Sequence, residues 1–204
     1  MRIRAYIVAF VVALSGVALA QHGAPQPSKE EYKVYAAAID AFQKAGLASH
    51  PVIADRTSTF ECDSGCNGLT IDGCNGLRNK NETAAARLEI VQRDLRELEG
   101  RTISDFESKN QRCSQIENKI PAESQYLLLG QSSGKQLPAG WEHPDLFYFS
   151  RVAVHGDQAL VHISFMSGTN PSDSGGKYFL FSKETGKWMP NGSSHVWKLV
   201  QHLE

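Results

Sequence analysis

The chain has 204 residues, a formal net charge of −1 at pH 7 and 41% hydrophobic residues. Because its 21 Lys and Arg residues do not outnumber its 22 Asp and Glu residues, the composition gives no basis for nucleic-acid binding, which depends on a basic surplus. The hydrophobic content is ordinary for a folded protein and excludes wholesale disorder.

The first twenty residues have the pattern of a secretory signal peptide. Arg2 and Arg4 precede an apolar run that ends at Leu14, and the small-residue pattern Ala-Leu-Ala closes the segment at Ala20. The apolar run is shorter than the roughly 20 residues of a membrane-spanning helix. We therefore expect residues 1–20 to be cleaved, and the protein to be periplasmic or extracellular with no membrane span left after cleavage.

The N-terminal half of the remaining chain predicts helices. Ser28 and Glu31 have the spacing of a capping box, and apolar residues at intervals of three and four follow until Gly46, which predicts a first helix. A second helix is predicted at about 81–99 with Gly100 as its cap. A third begins at the capping-box spacing of Ser104 and Glu107 and runs toward residue 113.

A cysteine- and glycine-rich segment at about 61–80 separates the first helix from the second. Its Asn-Gly steps favour tight turns, so we expect a looped insertion. An even number of cysteines in an exported protein favours disulfides, and four cysteines allow three pairings. The spacings do not fit a structural zinc site or an EF-hand calcium loop, so no metal is predicted. The disulfide candidates are Cys62, Cys66, Cys74 and Cys113.

Alternating apolar residues predict a sheet in the C-terminal half. In one segment Ala159, Val161, Ile163 and Phe165 share one face. Gly-containing stretches at 155–157 and 183–188 predict hairpin turns. Together with a first strand at 52–60, the predicted strands are 125–130, 146–155, 157–168, 177–183 and 195–200.

Helices first and strands last predict an α+β fold. After a flexible lead-in at 21–28, we expect residues 29–204 to form a single domain. In this domain the N-terminal helices pack on one side of a curved, mainly antiparallel sheet.

The string Asp-Ser-Gly-Gly at residues 173–176 resembles the surroundings of the reactive serine in chymotrypsin-like proteases. Ser172, however, stands where that family has glycine, and no histidine has the family's flanking residues. The predicted helices also do not fit an all-β protease. We therefore interpret the segment around Ser174 as a polar loop between two strands.

Arg151 and His162 are the candidate ligand-binding residues. They lie on neighbouring predicted strands and share a face with Ser164 if both strands alternate regularly. The open side of a curved sheet is a common place for a ligand cavity. The competing interpretation places both side chains at a solvated rim of the sheet. No cofactor is predicted.

The strand segments resemble an uncharacterised family of exported bacterial proteins. The shared features are a Ser-Arg-Val strand, a Gln-Ala-Leu-Val strand and a Gly-Lys-Trp hairpin, found here at 150–152, 158–161 and 186–188. This resemblance implies no activity. More loosely, the run of strands is similar to the C-terminal half of NTF2-like or cystatin-like α+β folds, a likeness of fold alone.

Two classes of function follow from the sequence. The first is a non-catalytic binding or interaction domain of the bacterial cell envelope or exterior, whose unknown partner is a small ligand or an envelope protein. The alternative is a small secreted hydrolase that uses Ser174 or a pocket centred on His162. Because the sequence does not bring a nucleophile, a base and an orienting group together, we favour binding.

Overall fold

The computed structural model describes residues 26–58, 84–123, 125–129, 139–170 and 174–198. The predicted signal peptide, most of the lead-in and the looped insertion lie outside these ranges. No helix in the described ranges is long and apolar enough to cross a membrane. In chain order the elements are α1 (Lys29–Lys44), β1 (Pro51–Ala54), α2 (Ala84–Asp94), α3 (Gly100–Lys109), β2 (Leu127–Leu129), β3 (Asp145–Phe149), β4 (Ala153–His155), β5 (Gln158–Met166), β6 (Gly175–Glu184) and β7 (Lys187–Lys198).

Helix α1 begins at the capping box that the sequence predicts. The Ser28 hydroxyl accepts a hydrogen bond from the Glu31 amide at 3.3 Å, and the Glu31 carboxylate accepts one from the Ser28 amide at 2.7 Å. The helix ends before Gly46, whose φ of 69° favours glycine. Its buried face includes the four large side chains that the sequence predicts, Tyr32, Tyr35, Ile39 and Phe42.

The strands form one curved, unclosed sheet in the order β2-β1-β3-β5-β6-β7, with β4 also paired to β5. Strand β1 runs parallel to β2 and β3, whereas every other pair is antiparallel. The predicted α+β fold is therefore confirmed. The parallel part of the sheet was not predicted, because β1 is only four residues long and is joined to its partners by long connections.

The helices cover both faces of the sheet, not the single face that we expected. On the first face Phe42 of α1 packs against Phe147, Phe165 and Phe179, with ring centroids 5.1 to 5.4 Å apart. On the second face α2 and α3 form another apolar cluster with the sheet. The sheet residues of this second cluster are Ala153, Leu160, Tyr178 and Leu180, all buried. Alternation places them opposite the first core, so the second face also needs a cover.

The helix boundaries near Gly100 differ from the prediction. Helix α2 ends at Asp94, and Gly100 starts α3 instead of capping α2. Ser104 lies inside α3, where its hydroxyl donates to the Gly100 carbonyl at 3.1 Å. A Ser-x-x-Glu spacing therefore does not mark a helix start when the serine can bond to the preceding turn.

The buried carboxylate of Asp145 ties two connecting segments together at the start of β3. It accepts hydrogen bonds from the amides of Ser49 (2.9 Å), His50 (3.4 Å) and Gly168 (3.2 Å). Gly168 lies so close to the neighbouring backbone that an added Cβ would be 2.5 Å from carbonyl atoms of His143 and Pro144. This contact requires glycine.

We predict that Gly168→Ala lowers the free energy of unfolding by about 1–3 kcal/mol, because the backbone must move to accept the methyl group. Gly100→Ala is the matched control, since its Cβ would meet nothing within 4 Å and alanine favours a helix. Denaturant unfolding of both variants measures the difference. Equal stability of the two variants would contradict the predicted close approach.

Candidate functional site

Arg151 lies in a three-residue interruption between β3 and β4, at Ser150–Val152. The sequence predicts one continuous strand here. In the structure the Ser150 amide donates to the His162 carbonyl at 2.9 Å, but the His162 amide donates to the Ser150 hydroxyl instead of the Ser150 carbonyl. The ladder between β3 and β5 therefore ends at Ser150, and the next backbone groups must find other partners.

Side chains from both helical layers supply those partners. From α1, the Tyr35 hydroxyl donates to the Ser150 carbonyl (2.9 Å), and the Glu31 carboxylate accepts from the Val152 amide (3.2 Å). The residue that caps α3, Asn110, accepts from the Arg151 amide (2.7 Å) and donates to the Arg151 carbonyl (3.1 Å). The Lys109 ammonium donates to the Val152 carbonyl (3.2 Å), so every backbone polar group of the interruption has a partner within the protein.

The Arg151 side chain forms a buried, bidentate ion pair with Glu31. Its Nε and Nη2 atoms donate to the two carboxylate oxygens at 2.7 and 2.9 Å, and Nη1 donates to the Ser114 hydroxyl at 2.9 Å. The two charged side chains are only 5% and 1% exposed. Such a pair is compatible with burial because each charge is both neutralised and hydrogen-bonded.

The protonation states of this cluster follow from the same contacts. Burial alone would lower the pKa of the Arg151 guanidinium, but the hydrogen bonds and the charge of Glu31 outweigh it and hold this pKa above its usual value. Burial raises the pKa of the Tyr35 hydroxyl well above its usual range, so the hydroxyl keeps its proton and donates to Ser150.

The two predicted ligand-binding residues occupy different surroundings. The contacts of Arg151 with Glu31 and Ser114 explain its burial without a ligand. His162 is half-buried on β5, and its ring lies 4.9 Å from the ring of Tyr178. That both residues bind a ligand stays a prediction, and these contacts do not favour it for Arg151.

Ser174 is buried, and its hydroxyl accepts a hydrogen bond from the Ser167 amide at 3.0 Å. This bond closes the loop that joins β5 to β6, as expected of a polar turn segment. Another serine, Ser49, lies 3.1 Å from the Nδ1 atom of His50, but the nearby Asp145 carboxylate binds backbone amides. In the described contacts neither serine belongs to a nucleophile–base–acid series.

Of the four cysteines only Cys113 lies in the described ranges, just after α3. The other three candidates, Cys62, Cys66 and Cys74, lie outside those ranges. The pairing of the predicted disulfide candidates therefore stays a prediction. Among the described residues no group of three or more His, Cys, Asp or Glu side chains is placed to hold a metal ion.

The candidate binding site is a groove of about 560 Å³ between α1 and the hairpin of β6 and β7, which we call the α1–hairpin groove. One wall is a stripe of α1 beside its buried face, and a second wall is the β6–β7 turn with the first residues of β7. The lining residues are Lys33, Ala36, Ala37, Asp40, Ala41, Lys44, Pro121, Glu123, Gly186, Lys187, Trp188, Met189 and Pro190.

The lining of the groove combines apolar residues with five charged ones. Its apolar side chains come from three alanines of α1 and from Trp188, Met189 and Pro190 of the hairpin, and Met189 is 49% exposed. Of the rim lysines, Lys44 and Lys187 form no ion pair with any described residue. A groove of this size, with an apolar lining and a few charged groups, is typical of a ligand site.

A salt-bridge cluster centred on Glu30 fixes one end of the groove. The Glu30 carboxylate accepts from Lys33 (2.6 Å), Lys183 (3.1 Å) and the Trp188 indole (3.2 Å), and the Lys183 ammonium lies 5.3 Å from the centre of the Trp188 ring. The hydrogen bonds from Lys33 and Lys183 lower the pKa of Glu30 to about 2. Trp188 is therefore held in place before any ligand binds.

The sequence analysis did not identify this groove. Its helix wall, which we call the alanine stripe, consists of α1 residues at spacings of three and four beside the buried stripe: Lys33, Ala36, Ala37, Asp40, Ala41 and Lys44. This pattern is present in the sequence but has no chemical signature of its own. Its other wall comes from a hairpin about 150 positions later in the chain, and only the folded chain brings the two together.

We predict that Glu31→Ala lowers the free energy of unfolding by about 3–5 kcal/mol, because it leaves the Arg151 guanidinium buried without a counter-charge. Glu107→Ala, at an exposed position of α3, is the control and should change it by less than about 0.5 kcal/mol. Denaturant unfolding measures both. A loss below about 1 kcal/mol for Glu31→Ala would show that the ion pair is not essential.

We further predict that the Glu30 carboxyl titrates near pH 2 and that Lys183→Met moves this pKa toward the usual 4.5. Because the folded-state pKa is lowered, Glu30 contributes stability above pH 4.5 that is lost as the pH falls toward 2. Carboxyl-carbon NMR titration measures the pKa. Lys187→Met is the control, and an unchanged Glu30 pKa in Lys183→Met would contradict the assignment.

Comparison of the chain with protein-family models, curated proteins and solved structures gives no significant match in any of the three. The resemblance of the strand motifs to exported bacterial proteins therefore stays a prediction.

Proposed function

We propose that this protein is an exported, non-catalytic binding domain of the bacterial cell envelope or exterior and that its ligand occupies the α1–hairpin groove. The signal-peptide pattern of residues 1–20 and the even number of cysteines support export. The observation that carries the binding proposal is the groove itself, with apolar lining residues, two lysines that form no ion pair with a described residue, and a tryptophan fixed by Glu30.

The described contacts support binding over hydrolysis. The buried Arg151–Glu31 pair and its neighbours satisfy one another, which is what a structural cluster requires. Ser174 closes a loop through the Ser167 amide. The groove, in contrast, joins a pre-formed apolar surface to charged groups at its rim, which favours recognition without chemistry.

The test is to fill the groove with a large side chain. We predict that purified wild-type protein, incubated with envelope extract and washed, retains a compound that mass spectrometry detects, and that Ala41→Trp retains at most one-tenth as much. Ala45→Trp, at the exposed C-cap of the same helix and outside the groove, is the matched control and should retain the wild-type amount.

Equal retention by all three proteins would contradict the groove as the binding site. If the wild-type protein releases a cleaved product from the extract and Ser174→Ala does not, the result would instead support the alternative function, a small secreted hydrolase. Thermal unfolding of each variant verifies that the tryptophan substitutions leave the fold intact.

A further inference from the structure

We infer that the ligand of the α1–hairpin groove is a short, extended peptide segment with acidic side chains, an inference that rests on the proposed function. Three features lie together in this groove: apolar lining residues, lysines that form no ion pair with a described residue, and the outer edge of β7. Each of the three features selects a different property of the ligand.

The charges at the groove select an anion. Lys44 and Lys187 at its rim, and Lys29 in the adjoining 400 Å³ pocket, form no ion pair with described residues. The three lysines that line the groove, Lys33, Lys44 and Lys187, outnumber its two carboxylates, Asp40 and Glu123. This local positive excess contrasts with the net charge of −1 for the whole chain. Carboxylate groups of a ligand therefore complement the rim.

The length of the groove suits a chain of several residues. The α1 wall runs from Lys33 to Lys44, which corresponds to about 16 Å along a helix. An extended peptide covers this distance with about five residues at roughly 3.3 Å each. Alternate side chains of such a peptide would contact the alanine stripe, while those between them would reach the lysines.

The edge of the sheet favours a peptide over a fatty acid. Strand β7 ends the sheet order, and no described strand pairs with its outer side. Its first residues, from Lys187 to Pro190, line the groove. An extended peptide can hydrogen-bond to an open strand edge, whereas an acyl chain cannot. Pro190 has no N–H group, so it limits the pairing to a short segment.

The probe is a fluorescein-labelled peptide of sequence Glu-Val-Glu-Val-Glu, titrated with the purified protein and followed by fluorescence anisotropy at low salt. We predict that the double variant Lys44→Glu/Lys187→Glu binds it at least tenfold more weakly and instead binds Lys-Val-Lys-Val-Lys. The matched control Arg96→Glu/Arg101→Glu makes the same charge change at exposed positions outside the groove and should bind like the wild type. Methylation of the central amide nitrogens of the acidic peptide should also weaken binding at least tenfold.

If the control double variant weakens binding of the acidic peptide as much as the groove double variant does, the inference is overturned. The inference is also overturned if the wild-type protein binds dodecanoate saturably but does not bind the peptide, and Ala41→Trp abolishes the dodecanoate binding. The proposed function would then still stand. If neither probe binds and Ala41→Trp retains the wild-type amount of compound from envelope extract, the inference and the proposed function both fail.

Discussion

The ion pair between Glu31 and Arg151 is the interaction on which the rest of the structure depends. It joins the first turn of α1 to the interruption between β3 and β4, across 120 positions of sequence. The same carboxylate also caps α1 and accepts from the Val152 amide. The Glu31 side chain therefore caps α1, neutralises the buried Arg151 guanidinium and accepts a hydrogen bond from the interruption at Val152. Its removal affects all three contacts at once.

The interruption also explains how helices can cover both faces of the sheet. Tyr35 and Glu31 reach Ser150–Val152 from α1, and Asn110 reaches it from the end of α3. The three residues of the interruption thus connect both helical layers to the sheet. Because the backbone groups of Arg151 and Val152 bond to side chains instead of a neighbouring strand, they hold the helices in place by hydrogen bonds that a regular strand could not offer.

The α1–hairpin groove depends on the orientation that this cluster gives to α1. Glu31 points into the protein, whereas the adjacent Glu30 binds Lys183 and Trp188 of the hairpin. Fixing the helix at its first turn leaves the alanine stripe and Lys44 beside β7 as an open wall. The two neighbouring glutamates therefore serve different purposes, one in stability and the other in the shape of the candidate site.

The sequence by itself determined the features that depend on near neighbours. The capping box of Ser28 and Glu31, the buried stripe of α1 and the alternation from Ala159 to Phe165 all follow from local periodicity. The tertiary structure decided what depends on distant partners. It paired β1 in parallel, split the strand at Ser150–Val152, gave Arg151 its carboxylate and placed Trp188 beside α1. Periodicity reports which face of an element is buried, but the contact between two faces is set only when the whole chain folds.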